Sequence, residues 1–84
     1  MIEYGTSAIA NLEAKDAALF VQVVSGFVSE IKIKAENHII NAKSIMGVIS
    51  LGGMQDKGIT IIASGDDEKE AIEAVKSFFS NLRD

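Results

Sequence analysis

The 84-residue chain has no cysteine, no proline and no tryptophan, and only one histidine. Without cysteine there is no disulfide, thiol nucleophile or thiolate metal site. Without proline, glycine and polar clusters must do the punctuation between elements. A single histidine, His38, has no second His or Cys beside it to make a metal site. Charge is short on the positive side: eight Lys and Arg face twelve Asp and Glu, a formal net charge of -4. The basic residues Lys15, Lys32, Lys34, Lys43, Lys57, Lys69, Lys76 and Arg83 are scattered. A nucleic-acid backbone or an anionic membrane surface calls for clustered cations, so neither is an expected partner. No apolar run approaches the length of a membrane span. The start, Met1-Ile2-Glu3-Tyr4-Gly5, lacks a basic region followed by an apolar stretch. No signal peptide is expected, and the expected location is cytoplasmic.

What is present is a packed, mostly aliphatic core. Hydrophobic residues make up 48% of the chain, with four Phe and one Tyr. The length fits one domain, residues 1–84. Ile2 to Ile9 is a strand candidate interrupted by Gly5. Residues 14–27 predict a helix, because Ala17, Phe20, Val24 and Phe27 fall at helical spacing, with Val21 and Val28 widening the apolar face. Asp16 suits the positive end of that helix. Glu30-Ile31-Lys32-Ile33-Lys34 alternates strictly, the mark of a half-buried strand with both Ile inward. Residues 35–38 predict a hairpin turn with Asn37 in the left-handed conformation, and Ile39 to Ala42 a returning strand.

Ser44 is a good N-cap for a short helix over 45–51, ending at Gly52-Gly53. Gly58 to Ala63 predicts a short apolar strand suited to a central place in a sheet. The last helix starts where Asp67 and Glu70 have capping-box-like spacing. Ile72, Val75, Phe79 and Leu82 form its apolar stripe, with Ala71 and Phe78 beside them, and Glu68, Glu70, Glu73 and Lys76 face water. The order is β-α-β-β-α-β-α, an α+β arrangement in which four strands carry the helices on one face.

Two stretches of this pattern resemble a known family. Ala17-Ala18-Leu19-Phe20-Val21-Gln22 resembles the start of the first helix of HPr, the phosphocarrier of the bacterial sugar phosphotransferase system. Asn41 to Gly52, reading Asn-Ala-Lys-Ser-Ile-Met-Gly-Val-Ile-Ser-Leu-Gly, resembles the HPr segment around its regulatory serine. The resemblance implies an open-faced β-sandwich, a four-stranded antiparallel sheet covered on one face by three helices. In the family, a histidine just before the first helix takes a phosphoryl group from enzyme I, within the pattern His-Ala-Arg-Pro-Ala-Ala. This chain reads Glu13-Ala14-Lys15-Asp16-Ala17-Ala18 there. Glu13 stands at the histidine position and Lys15 at that of the arginine.

The substitutions change the chemistry. A neutral imidazole is a good nucleophile near neutral pH, whereas a carboxylate is a weaker one and repels an incoming phosphate. Asp16 adds a second negative charge to the same turn, and Lys15 keeps a charge but not the bidentate fork of arginine. Glu13 reads either as a mimic of phosphohistidine or as an ordinary first-turn acid favoured by the helix dipole. His38 reads as a solvated turn residue.

Ser44 reads as a helix cap and also as a phosphorylation site, since phosphate is well tolerated beside a helix N-terminus. By the resemblance, HPr kinase/phosphorylase phosphorylates this serine, and the phosphoprotein binds the catabolite control repressor. Ile45, Met46 and Ile49 fall where the family docks its partners, and their alternative role is core. The catabolite-repression branch of the family also lacks the histidine and keeps the serine. Three functions therefore stand: a regulatory HPr-like protein acting through Ser44, an atypical phosphocarrier using Glu13, and an interaction module that needs no phosphorylation. No nucleophile–base pair or phosphate-cradling Gly-rich loop is present, so neither an enzyme nor a bound cofactor or metal is expected.

Overall fold

The strict alternation of residues 30–34 becomes β2, Glu30–Ala35, in which Ile31, Ile33 and Ala35 are buried while Glu30, Lys32 and Lys34 face water. In the computed structural model, residues 1–6, 14–36, 38–50 and 58–82 are described. The remaining elements are β1 (Ile2–Thr6), α1 (Ala14–Ser25), β3 (His38–Asn41), α2 (Ile45–Ser50), β4 (Ile59–Ser64) and α3 (Glu68–Leu82). The strands form one antiparallel sheet in the order β1-β4-β2-β3. Apolar β4 takes the central place expected of it, pairing Ile61 with both Tyr4 and Ile33. Ile31, Ile33, Ile59, Ile61 and Ala63 meet Phe20, Val24, Ala71, Val75 and Phe79 in a single core, and the three helices cover that face of the sheet. This is the open-faced α+β sandwich the sequence predicts.

The apolar stripes hold where the chain is regular. Ala17, Phe20 and Val24 of α1 are buried, as are Ala71, Ile72, Val75 and Phe79 of α3. Phe20 stacks on Phe79 at 5.6 Å between ring centres and meets the edge of Phe78 at 5.5 Å. Such ring pairs add to the area they bury. Lys76 faces water as expected, and its ammonium lies 5.3 Å from the centre of the Tyr4 ring.

Several boundaries depart from the sequence reading. The first helix stops at Ser25 instead of 27, because the amides of Gly26 and Phe27 bond back three residues, to Val23 and Val24, and tighten the last turn. Val28 therefore leaves the apolar face altogether and is 79% exposed. In the β2–β3 turn Glu36 holds the positive φ, 54°; Asn37, expected there, lies outside the described residues. β3 runs one residue earlier than expected, and Ala42 is buried just beyond it, its amide bonded to the Ile31 carbonyl. Expected residues 7–9 of the first strand and Leu51 of the short helix also lie outside the described residues.

The start of α3 is held differently from the capping box expected of Asp67 and Glu70. Glu70 is exposed, and it is Glu68 that reaches back to accept the Gly65 amide at 3.1 Å and the N-terminal ammonium at 2.9 Å. Glu68 is thus half-buried, not a water-facing residue. Asp67 turns away from its own helix. Its carboxylate accepts the Ser29 hydroxyl and the amides of Val28 and Ser29, fixing the chain as it enters β2. The Ser29 hydroxyl, then the Val28 amide, hold the Asp67 carboxyl below its usual 3.8. A carboxyl whose pKa is lowered in the fold stabilises it above the unfolded value and loses that contribution as pH falls through the folded value. Asp67→Asn should therefore be less stable than the parent at neutral pH, and the gap should narrow as the pH drops below 3.8. Thermal melts at neutral and acid pH check this, and a gap of constant size would refute it.

Candidate functional site

The segment from Asn41 to Ser50 builds the site from local rules. Asn41 accepts the Lys43 amide through its side-chain oxygen, and its carbonyl takes the Ser44 amide at 3.0 Å. That turn delivers Ser44 to the N-cap of α2. The Ser44 carbonyl receives the Val48 amide at 3.0 Å, and its Oγ accepts the Gly47 amide at 3.3 Å, a long bond for this geometry. Ser44 itself is half-buried. Its neighbour Lys43 donates from Nζ to the Phe27 carbonyl at 2.7 Å.

Glycine inside a six-residue helix costs about 1 kcal/mol relative to alanine. At Gly47 close packing explains it: a Cβ there would come within 2.6 Å of Ile40 Cγ2, so α2 lies tight against β3. Val48 points inward and is fully buried. The other apolar residues point out: Ile45 is 43% exposed, Met46 74% and Ile49 42%. An α-helix buries one stripe, and here Val48 supplies it. The three residues that the sequence marks for docking are all on the surface.

α1 packs beside α2 and carries a further exposed apolar side chain, Leu19, at 52%. A shallow groove lined by Lys15, Ala18, Leu19, Val21, Gln22 and Ser25 follows α1. Leu19 was missed in the sequence, although its place off the Ala17–Phe20–Val24 stripe is the signal that marks it as exposed. The Lys43–Phe27 contact was not, because nothing local pairs a lysine with a carbonyl sixteen residues away. Lys15 is exposed in the first turn of α1 and Asp16 half-buried beside it. Glu13 lies outside the described residues. His38 is exposed at the start of β3, on the hairpin after β2. Among the described residues no group of His, Asp and Glu could hold a metal ion, and no helix is long and apolar enough to cross a membrane.

Comparison with known proteins agrees with this geometry. Residues 7–81 match the PTS-HPr family, described as the PTS HPr component phosphorylation site. The HPr-like protein Crh of Halalkalibacterium halodurans is 49% identical over 68 residues, covering 81% of each chain. The HPr-like protein Crh of Bacillus subtilis is 42% identical over 68 residues, 81% of this chain and 80% of that one. The crystal structure of HPr-C-His from Thermoanaerobacter tengcongensis superposes with a TM-score of 0.87 at 44% identity, covering 98% of this chain and 94% of that one. With the family pattern spanning three of the four strands and the Ser44 helix, and with Crh proteins among its relatives, the chain belongs to the HPr family of the phosphotransferase system.

Proposed function

We propose that this protein is a regulatory HPr whose switch is Ser44, phosphorylated by HPr kinase/phosphorylase, and whose helical face then binds the catabolite control repressor. The observation that carries the reading is the surface around Ser44. A half-exposed hydroxyl stands at the head of α2, directly ahead of the exposed Ile45, Met46 and Ile49. In the transfer, Ser44 Oγ bonds to the γ-phosphorus of ATP, the bond to ADP breaks, and a base on the kinase takes the hydroxyl proton. The product adds roughly two negative charges beside the amides of the first turn of α2, where they are tolerated. Exposed apolar groups flanking a single charged group make a docking surface that is both adhesive and conditional. The family's histidine relay has no counterpart in this reading, because Glu13 stands at that position and the one histidine, His38, sits on the hairpin. Other phosphotransferase-system proteins are the remaining class of partner.

Binding to the repressor tests the proposal. Phosphoprotein should bind about tenfold or more tightly than unmodified protein, and phosphorylated Met46→Asp should lose about tenfold. Met46 is exposed, so this variant should fold normally. Equal binding by kinase-treated wild type and Ser44→Ala would overturn the switch. It would leave an interaction module that needs no phosphate, the reading that the already exposed Ile45, Met46 and Ile49 would then favour.

A further inference from the structure

The exit of α1 is held from outside. The helix has no basic residue in its last turn to meet its terminal carbonyls. A cation reaches the chain two residues past that end, from the segment before α2: Lys43 Nζ donates to the Phe27 carbonyl at 2.7 Å. The next two residues are held by the Asp67 carboxylate through the amides of Val28 and Ser29. Residues 26–29 are thus tied at two points, one to the turn before α2 and one to the start of α3. The Lys43 tie sits beside the candidate switch. Lys43 and Ser44 are successive, with Cα atoms about 3.8 Å apart, well within the span of a lysine side chain. A phosphate dianion is a much stronger acceptor for an ammonium than a neutral carbonyl.

We propose that Lys43 is a phosphate-sensitive tie: with Ser44 unmodified it holds the Phe27 carbonyl, and phosphate on Ser44 draws its ammonium away and loosens the exit of α1. This rests on Ser44 being the phosphorylated residue. Its consequence is that modification at α2 is felt at α1, the helix that carries Lys15 and Leu19. Asp67 continues to hold Val28 and Ser29, so the loosening is confined to the Phe27 carbonyl and the turn around it. By reciprocity, loss of the Lys43–Phe27 contact should leave the phosphate a freer claim on Lys43.

The test uses protein with phosphoserine installed at position 44 during translation, so that it does not depend on any kinase. The Phe27 carbonyl ¹³C resonance and the hydrogen exchange of residues 26–29 are compared in four proteins: unmodified, phosphoserine-44, Lys43→Met, and the two changes combined. Phosphoserine should move the Phe27 resonance most of the way to its Lys43→Met position. It should also speed exchange at Gly26 and Phe27 by about threefold to tenfold, as loss of one hydrogen bond would. In the combined protein, phosphate should add nothing further. An unmoved Phe27 resonance in phosphoserine-44 protein, or additive changes in the combined one, would overturn the tie. A kinase that ignores Ser44 would count against the proposed function and leave this result standing. An unmoved resonance in a chain the kinase does phosphorylate would count against the tie alone.

Discussion

Phe20→Ala should lower the stability of the fold by about 3–5 kcal/mol, the usual loss when a buried phenylalanine is truncated. Phe20 is fully buried and is the point where the two long helices meet, its ring stacked on Phe79 and edge-on to Phe78. Truncation removes two ring contacts and leaves a cavity that the sheet beneath, anchored by Ile33 and Ile61, cannot collapse to fill. A chain of this size has about 4–13 kcal/mol of stability in all, so the variant would be close to unfolding. Phe20→Leu, which keeps most of the volume, should lose much less. Urea denaturation checks this: the midpoint should fall with little change in slope. A loss below about 1 kcal/mol would mean that Phe20 does not anchor α1.

Gly65→Ala should be nearly as damaging. Gly65 has φ 154°, a conformation that side chains resist, and an added Cβ would lie 2.6 Å from Ser29 Oγ and 2.7 Å from Ser29 Cα. The hydroxyl could swing aside, but the backbone carbon could not, because Asp67 fixes Ser29 through its amide and its hydroxyl. Strain and overpacking together should cost about 2–4 kcal/mol. Gly58 supplies the control. Nothing lies within 4 Å of a Cβ built there, so Gly58→Ala should change stability by less than about 0.5 kcal/mol. Equal effects at the two positions would show that the approach of Gly65 to Ser29 is not what holds the glycine.

The Gly65 prediction concerns a part of the fold that the sequence hid, whereas Phe20 lies on a stripe that the sequence showed. Regular elements were legible because their signals are local. The alternation of residues 30–34 marked β2, and the helical spacing of Ile72, Val75, Phe79 and Leu82 marked α3. Ser44 was legible as a cap for the same reason: its partner is three residues ahead. The α1–β2 connection was not, because its partners are distant. Val28 continues the helical spacing of α1, yet its amide is taken by Asp67, thirty-nine residues on. Asp67 in turn reads as part of a capping box until Val28 and Ser29 are seen to claim its carboxylate. The same holds at the site. The outward set of Ile45, Met46 and Ile49 follows from helix geometry once Val48 is known to be buried, but whether they are exposed or part of the core needed the three-dimensional structure. Lys43's hold on Phe27 again joins residues that no short pattern connects.

Intact mass after incubation with ATP and an active HPr kinase/phosphorylase decides whether Ser44 is the switch. The wild type and Glu13→Gln should each gain one phosphate, and Ser44→Ala should gain none. No gain by wild type, with a kinase that phosphorylates a known substrate in the same tube, or a gain that survives in Ser44→Ala, would contradict the claim and reduce Ser44 to the cap of α2.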